Sequence, residues 1–266
     1  MSHAAAENFT RQTITHVHFW VPGKLFSIRT TRDAGFDFSA GQFARLGLAG
    51  AEGEAQNPSI IWRAYSMVNA PTQDGLEFYS IVVPHGQFSP LLAQAKVGDT
   101  LYVDKTAFGF LTLDRFAAGG TLWLLATGTG LSAFLSILQD GQTWQRFERV
   151  ILVHGVRTGG ELAYAPVLRE WEQQRGERFC YLPIPTREAA PMQPNLPALP
   201  QARITQLIAD GRLEQLAACP LAPETSKVML CGNPEMVSQA RALLQARGYA
   251  AGRRGNVGTL AVENYW

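Results

Sequence analysis

Apolar residues keep two different rhythms along the chain, and the change falls at Gly119-Gly120. Before it, short apolar stretches alternate with polar residues and stop at turn chemistry such as Pro22-Gly23, Gly35, Gly50, Gly53, Pro71 and Asp74-Gly75. That pattern predicts strands at 13–21, 25–31, 43–48, 60–68, 76–83 and 100–103, with one short helix at 90–95. Six strands of this length predict a small antiparallel β-barrel. After Gly119-Gly120, buried-strand runs at 122–126, 150–154, 179–183 and 227–231 alternate with helical spacing at 131–138, 162–174, 204–208, 213–217 and 235–246. Strand and helix in alternation predict an α/β unit on a parallel sheet, Rossmann-like in layout. The expected division is therefore two domains, 1–117 and 118–266. Six prolines in PIPTREAAPMQPNLPALP predict an extended surface loop over 183–200.

The stretch TLWLLATGTGLSAFLSIL, 121–138, reads as strand, tight turn and helix. Gly128 and Gly130 are expected to give the turn positive φ and to let its backbone approach a ligand with no Cβ in the way. The helix that follows would aim its unpaired N–H groups into the turn, where a pyrophosphate is the usual occupant. Gly128-x-Gly130-x-x-Ala133 fits a dinucleotide fingerprint ending in Ala. The same spacing also suits a plain β-α corner whose glycines serve packing alone. Two further features favour the nucleotide. A module of different character precedes the turn, and the next strand ends in Arg157 where an NAD site would place an acid, which suits a 2′-phosphate.

Composition narrows the setting. With 266 residues, 46% of them hydrophobic, the chain has enough apolar material for two domains, and a net charge of +1 gives no reason to expect nucleic-acid or membrane-surface binding. MSHAAAENFTRQ has no basic start followed by an apolar core, and no apolar run is long enough to cross a bilayer. Cys180, Cys219 and Cys231 are widely spaced and form no C-x-x-C unit, so no metal or iron–sulfur site is expected and free thiols in the cytoplasm are.

The barrel must hold something other than metal. In the strand 60–68, Arg63 and Tyr65 share one face and Ser66 takes the other. Arg63 could meet a pyrophosphate and Tyr65 could lie against a planar ring, although a surface arginine beside a packed tyrosine fits the tetrapeptide equally. Five stretches in order complete the picture: RAYS at 63–66, VVPHGQFS at 82–89, ATGTG at 126–130, CGNPEMV at 231–237 and VENYW at 262–266. Together they resemble the bacterial ferredoxin (flavodoxin)–NADP(H) reductases of the plant-type superfamily over nearly the whole chain.

That resemblance implies a FAD-binding barrel, an NADP(H)-binding α/β domain and electron exchange with flavodoxin or ferredoxin. Carried over by position, Arg63, Ala64, Tyr65 and Ser66 would meet FAD, with Tyr79, Val82, Gly86, Gln87, Phe88, Ser89 and Thr129 around it. Tyr265 and Trp266 would cover the second flavin face and the adenine. Gly128, Gly130, Val156, Arg157, Thr186, Arg187, Arg203, Gly232, Asn233 and Pro234 would meet NADP(H). Arg157, Arg187 and Arg203 match positions around the 2′-phosphate, though Gln201-Ala202 replaces the glycine that commonly precedes the last of them. Ser66, Cys231 and Glu263 would sit closest to the hydride path. Two other activities remain open at this stage: an NAD(P)H-dependent flavin or quinone reductase or oxygenase reductase, and a binding module that senses NADP. Arg247, Arg253 and Arg254 form a candidate docking patch for an acidic carrier, and the protein is expected to be a monomer.

Overall fold

The computed structural model describes residues 8–54, 57–188, 200–252 and 256–264. Strands β1 (Phe9–Val21), β2 (Leu25–Thr30), β3 (Phe43–Glu54), β4 (Asn57–Ser66), β5 (Leu76–Ile81) and, after the one-turn helix α1 (Ser89–Leu92), β6 (Thr100–Asp104) form an antiparallel sheet. Its order is β4-β3-β6-β1-β2-β5. The two outer strands then meet: Met67 bridges Phe78, and the Val68 N–H donates to the Glu77 carbonyl at 2.8 Å. These contacts join the outer strands at one end and close the sheet on itself there. Long β1 makes this possible by pairing β6 with Phe9–Thr13 and β2 from Ile14 onward, with register shifts that turn it from one partner to the other. Ile14, Phe26, Ile28, Ala44, Leu46, Met67 and Phe78 fill the interior and are wholly buried.

The second sheet is built from β7 (Thr121–Thr127), β8 (Arg149–Val156), β9 (Phe179–Pro185), β10 (Ser226–Gly232) and β11 (Leu260–Asn264). Every neighbouring pair in its order, β11-β10-β7-β8-β9, is parallel. Alternation within β7 shows how both faces are filled. Leu122, Leu124 and Ala126 join a cluster with α2 (Leu131–Gln139), α3 (Gly141–Arg146) and α4 (Ala165–Arg175). Trp123 and Leu125 join another with α5 (Ile204–Ala209), α6 (Arg212–Ala217) and α7 (Pro234–Ala246). The chain runs outward from β7 through β8 to β9 and then returns to lay β10 on the opposite side of β7. Such a reversal opens a crevice beyond the carboxyl ends of the central strands.

Helix α2 also faces the barrel. Its Ser136 hydroxyl donates to the Asn69 carbonyl at 2.7 Å and its Gln139 amide to the Val68 carbonyl at 2.7 Å. Residues Leu131 to Leu138 are consequently all buried. Three sequence expectations need correction. The helix expected over 162–174 starts at Ala165, because 3-10 turn Gly159–Glu161 and a left-handed Tyr164 (φ 60°) precede it. Strand β9 runs past its expected end at Pro183 and takes Ile184 and Pro185 from the expected surface loop, so it holds two prolines, Pro183 and Pro185. They have equal parity on a strand at the sheet edge, so both missing N–H groups fall on the unpaired side. Helix α3 and strand β11 are additional elements, and β11 places Val262 to Asn264 in the sheet, where no element had been expected. Residues 189–199 of the proline-rich segment lie outside the described residues.

Candidate active site

The crevice at the reversal is a cleft of about 990 Å3. All ten residues expected to meet NADP(H) line it: Gly128, Gly130, Val156, Arg157, Thr186, Arg187, Arg203, Gly232, Asn233 and Pro234. Strand ends bring them together. Thr186 N–H donates to the Val156 carbonyl and Arg187 N–H to the Arg157 carbonyl, each at 2.9 Å, so the tips of β8 and β9 stand side by side. Arg203 sits at the start of α5, its N–H donating to the Gln206 side-chain oxygen at 2.9 Å and its guanidinium 3.7 Å from Glu235. Asn233 caps α7, accepting from the N–H groups of Glu235 and Met236 at 3.0 and 3.1 Å.

The two glycines of the turn have different reasons, and one differs from expectation. Gly128 has φ +54° and open space where a Cβ would be. Gly130 has φ −59°, not the positive value expected, and its missing Cβ is required by the protein: a methyl there would lie 2.5 Å from the Cys231 carbonyl oxygen. Gly130 thus lets the β7–α2 turn press against β10. His154, wholly buried on β8, holds the turn from beneath, its Nε2 3.1 Å from the Gly128 carbonyl oxygen. Burial pushes its pKa down to about 4 against the opposing effect of that hydrogen bond, so the ring is neutral and Nε2 donates.

Lys24 and Glu161 also line the cleft, and neither emerged from the sequence. Glu161 is buried, accepts from Lys24 Nζ at 2.5 Å and from Arg157 N and Nε at 3.1 Å each, and forms an ion pair with Arg157 Nη2 at 2.9 Å. Burial alone would raise its carboxyl, but the hydrogen bonds from Lys24 and Arg157 outweigh burial and hold it below the ordinary carboxylate range. The four-residue spacing from Arg157 was the one signal available for it. In all, Lys24, Arg157, Arg187 and Arg203 oppose Glu161 and Glu235 around the cleft, a cationic excess suited to a polyanion.

On the barrel side, Tyr79, Val82 and Thr129 line this same cleft. The Tyr79 ring stands edge-on to Tyr164 with centroids 5.4 Å apart, and its buried hydroxyl has no partner among the described residues. Arg63 and Ala64 are exposed, and the Tyr65 hydroxyl lies 3.2 Å from Ser80 Oγ. Phe88 turns its ring into the barrel core beside Tyr65, with centroids 5.7 Å apart, so any contact it makes outside is through its backbone. Ser89 is the first residue of α1, not its cap. Its hydroxyl accepts from the Val83 N–H at 2.9 Å and fastens the 83–89 turn, leaving its own proton to donate. Ser66, Cys231 and Glu263 are linked through Gly109 and Phe43. Glu263 pairs in register with Cys231, and its carboxylate lies 2.7 Å from where a Gly109 Cβ would be, with the edge of Phe43 3.0 Å from the same point. Phe43 is the register partner of Ser66.

Residues 124–242 match the model of the oxidoreductase NAD-binding domain. Ferredoxin–NADP reductase A of Sorangium cellulosum is 41% identical to this chain over 96% of it and 89% of that protein. The chain belongs to the ferredoxin–NADP reductase family. Ferredoxin–NADP reductase of Pseudomonas aeruginosa is 38% identical over 96% of this chain and 97% of its own. A ferredoxin NADP+ reductase from Neisseria gonorrhoeae, solved with bound FAD and NADP, superposes with a TM-score of 0.88 at 37% identity, covering 98% of this chain and 100% of that one. The chain is thus an oxidoreductase that uses FAD and NADP(H).

The reductase's own residues fit both groups. An arginine-rich cleft floored by a close-packed glycine turn suits the dinucleotide, and the buried Tyr79 hydroxyl, without a partner among the described residues, and exposed Arg63 offer donors to FAD. One arginine of the expected docking patch is used differently. Arg247 donates to Glu214 at 3.1 Å and to the Ile208 carbonyl, bolting α7 to α5 and α6. Arg253, Arg254, Tyr265 and Trp266 lie outside the described residues.

Proposed function

We propose that this reductase moves electrons between NADP(H) and a one-electron carrier, flavodoxin or ferredoxin, and that the site residues divide as the cleft suggests. Convergence of the two half-sites carries the reading: the coenzyme cleft at the β7–β10 reversal adjoins the barrel-facing trio of Ser66, Cys231 and Glu263. When bound, FAD accepts electrons from the nicotinamide as a pair and releases them singly to a carrier. The chain supplies position. Arg157 and Arg187, with Arg203, would hold the 2′-phosphate through permanently charged forked donors. Gly128, Thr129 and Gly130 would let the dinucleotide lie close to the backbone, while Gly232 to Pro234 would seat the nicotinamide half.

Arg63 and the Gly86 to Ser89 turn would hold the FAD pyrophosphate, and the Tyr65 ring would cover one flavin face. Cys231, wholly buried, would shape the place where the nicotinamide lies and exclude water from it. Ser66 would offer its hydroxyl to the flavin, and Glu263 would complete the wall opposite. No proton donor is required for transfer between two stacked rings. Both half-sites come from one chain, which supports a monomer divided at 117/118, and free thiols suit a reducing cytoplasm. The test is NADPH-driven reduction of purified flavodoxin and ferredoxin, side by side. Reduction of either supports the reading. Reduction of free flavin or quinone, with neither protein reduced, would replace it with a flavin or quinone reductase.

A further inference from the structure

One charged cluster joins the barrel to the coenzyme cleft. Lys24 stands in the turn between β1 and β2, and Glu161 in the 3-10 turn after β8, 137 residues away. The Glu161 carboxylate takes four contacts. Its Oε1 accepts from Lys24 Nζ and lies 2.9 Å from Arg157 Nη2 as an ion pair, and its Oε2 accepts from the Arg157 N–H and Nε–H. An exposed arginine–glutamate pair one helical turn apart would contribute little. Here the side chain of the acid is only 8% exposed and grips the arginine by main chain and side chain together.

Geometry sets the consequence. A guanidinium offers two forks: the side edge, Nε with Nη2, and the end, Nη1 with Nη2. Glu161 occupies the side edge, whereas the Arg157 side chain remains 43% exposed and lines the cleft. We propose that Glu161 is a positioning residue for the coenzyme. By filling the side edge it presents the end fork of Arg157 to the 2′-phosphate, and by holding Lys24 it ties the barrel's first turn to the same cleft. The proposal rests on the assignment of Arg157 to that phosphate.

The test measures equilibrium binding to the FAD-loaded protein with two probes, adenosine 2′,5′-bisphosphate and adenosine 5′-monophosphate, which lacks the 2′-phosphate. Glu161→Gln should weaken the bisphosphate roughly five- to twentyfold, as expected when a charge-assisted pair loses its alignment, and should leave the monophosphate within about twofold. In steady state the same variant should raise KM for NADPH with kcat little changed. In an Arg157→Ala background, Glu161→Gln should have no further effect. Should Glu161→Gln fail to yield folded holoprotein, Glu161→Asp keeps the charge but withdraws it from the guanidinium edge, and the same selective weakening is expected. Equal weakening of both probes, tighter bisphosphate binding, or an undiminished effect without Arg157 would each overturn the proposal. If Arg157→Ala itself leaves bisphosphate affinity unchanged, the assignment of Arg157 fails, an outcome distinct from a silent Glu161.

Discussion

At the scale of single residues, chemistry was legible where a residue type has few uses. An arginine at a strand end, two glycines one residue apart and an Arg-x-Tyr on a strand pointed to a nucleotide, and the ten residues expected to meet NADP(H) all line one cleft. Lys24 was not legible, because its meaning depends on a partner 137 residues away. Changing Arg157 and Arg187 together to Ala should raise KM for NADPH about tenfold or more and leave NADH nearly unchanged, since each charge-assisted contact is worth ~1.5–3 kcal/mol. Equal losses for the two coenzymes would remove both from the role. His154 supplies a pH dependence. In the folded protein it stays neutral to about pH 4, whereas the unfolded residue takes a proton near its ordinary 6.5. Between those values the unfolded chain binds the extra proton, so stability falls as pH falls. From pH 7 to pH 5 this one group should account for a loss of about 2 kcal/mol. Urea titrations of the protein and of His154→Gln at both pH values should show that much smaller a change in the variant; parallel curves would mean that the ring titrates normally.

At the scale of elements, length and surroundings decided what the sequence could show. Among the described residues, eleven strands include nine foreseen from apolar runs with turns at their ends plus one, β9, whose prolines hid its last two residues. Strand β11 escaped notice because LAVEN is short and pairs on one side only, at the far edge of the sheet. Helix α2 was legible as a helix yet not as an interface, since burial on every side erases the amphipathic stripe that would have marked its faces. The turn leading into α2 carries a sharper test of why its glycines are there. Gly128→Ala meets open space and costs only the left-handed backbone, ~1–2 kcal/mol. Gly130→Ala drives a methyl into the backbone of Cys231, which cannot swing aside as a side chain would, and should cost at least about 2–3 kcal/mol. Denaturant midpoints of the two variants decide it, and a Gly130→Ala protein as stable as Gly128→Ala would show that the β7–α2 turn does not press on β10.

At the scale of the molecule, the change of rhythm at Gly119-Gly120 announced two architectures but not how firmly they are joined. The largest apolar cluster answers that, because Leu25, Val68, Tyr79 and Leu111 from the barrel side pack in it with Leu131, Phe134 and Leu135 of α2. Polar contacts follow the same seam: Ser136 to Asn69, Gln139 to Val68, and the Tyr164 hydroxyl donating to Glu77 at 2.7 Å, whose other oxygen accepts from Arg29 at 2.9 Å. A seam this apolar is unlike the polar, separable contact usual between mobile domains. Neither part should therefore unfold alone. In guanidinium titrations of the FAD-loaded protein, flavin fluorescence, which rises on release and reports the barrel, should change together with the far-UV signal, which is dominated by the helices around the parallel sheet. Ser136→Ala leaves the buried Asn69 carbonyl without its donor and should shift both transitions equally, by an amount near 1 kcal/mol. Flavin release at a clearly lower denaturant concentration than helix loss, with Ser136→Ala moving only the first, would show that the seam does not couple the two sheets.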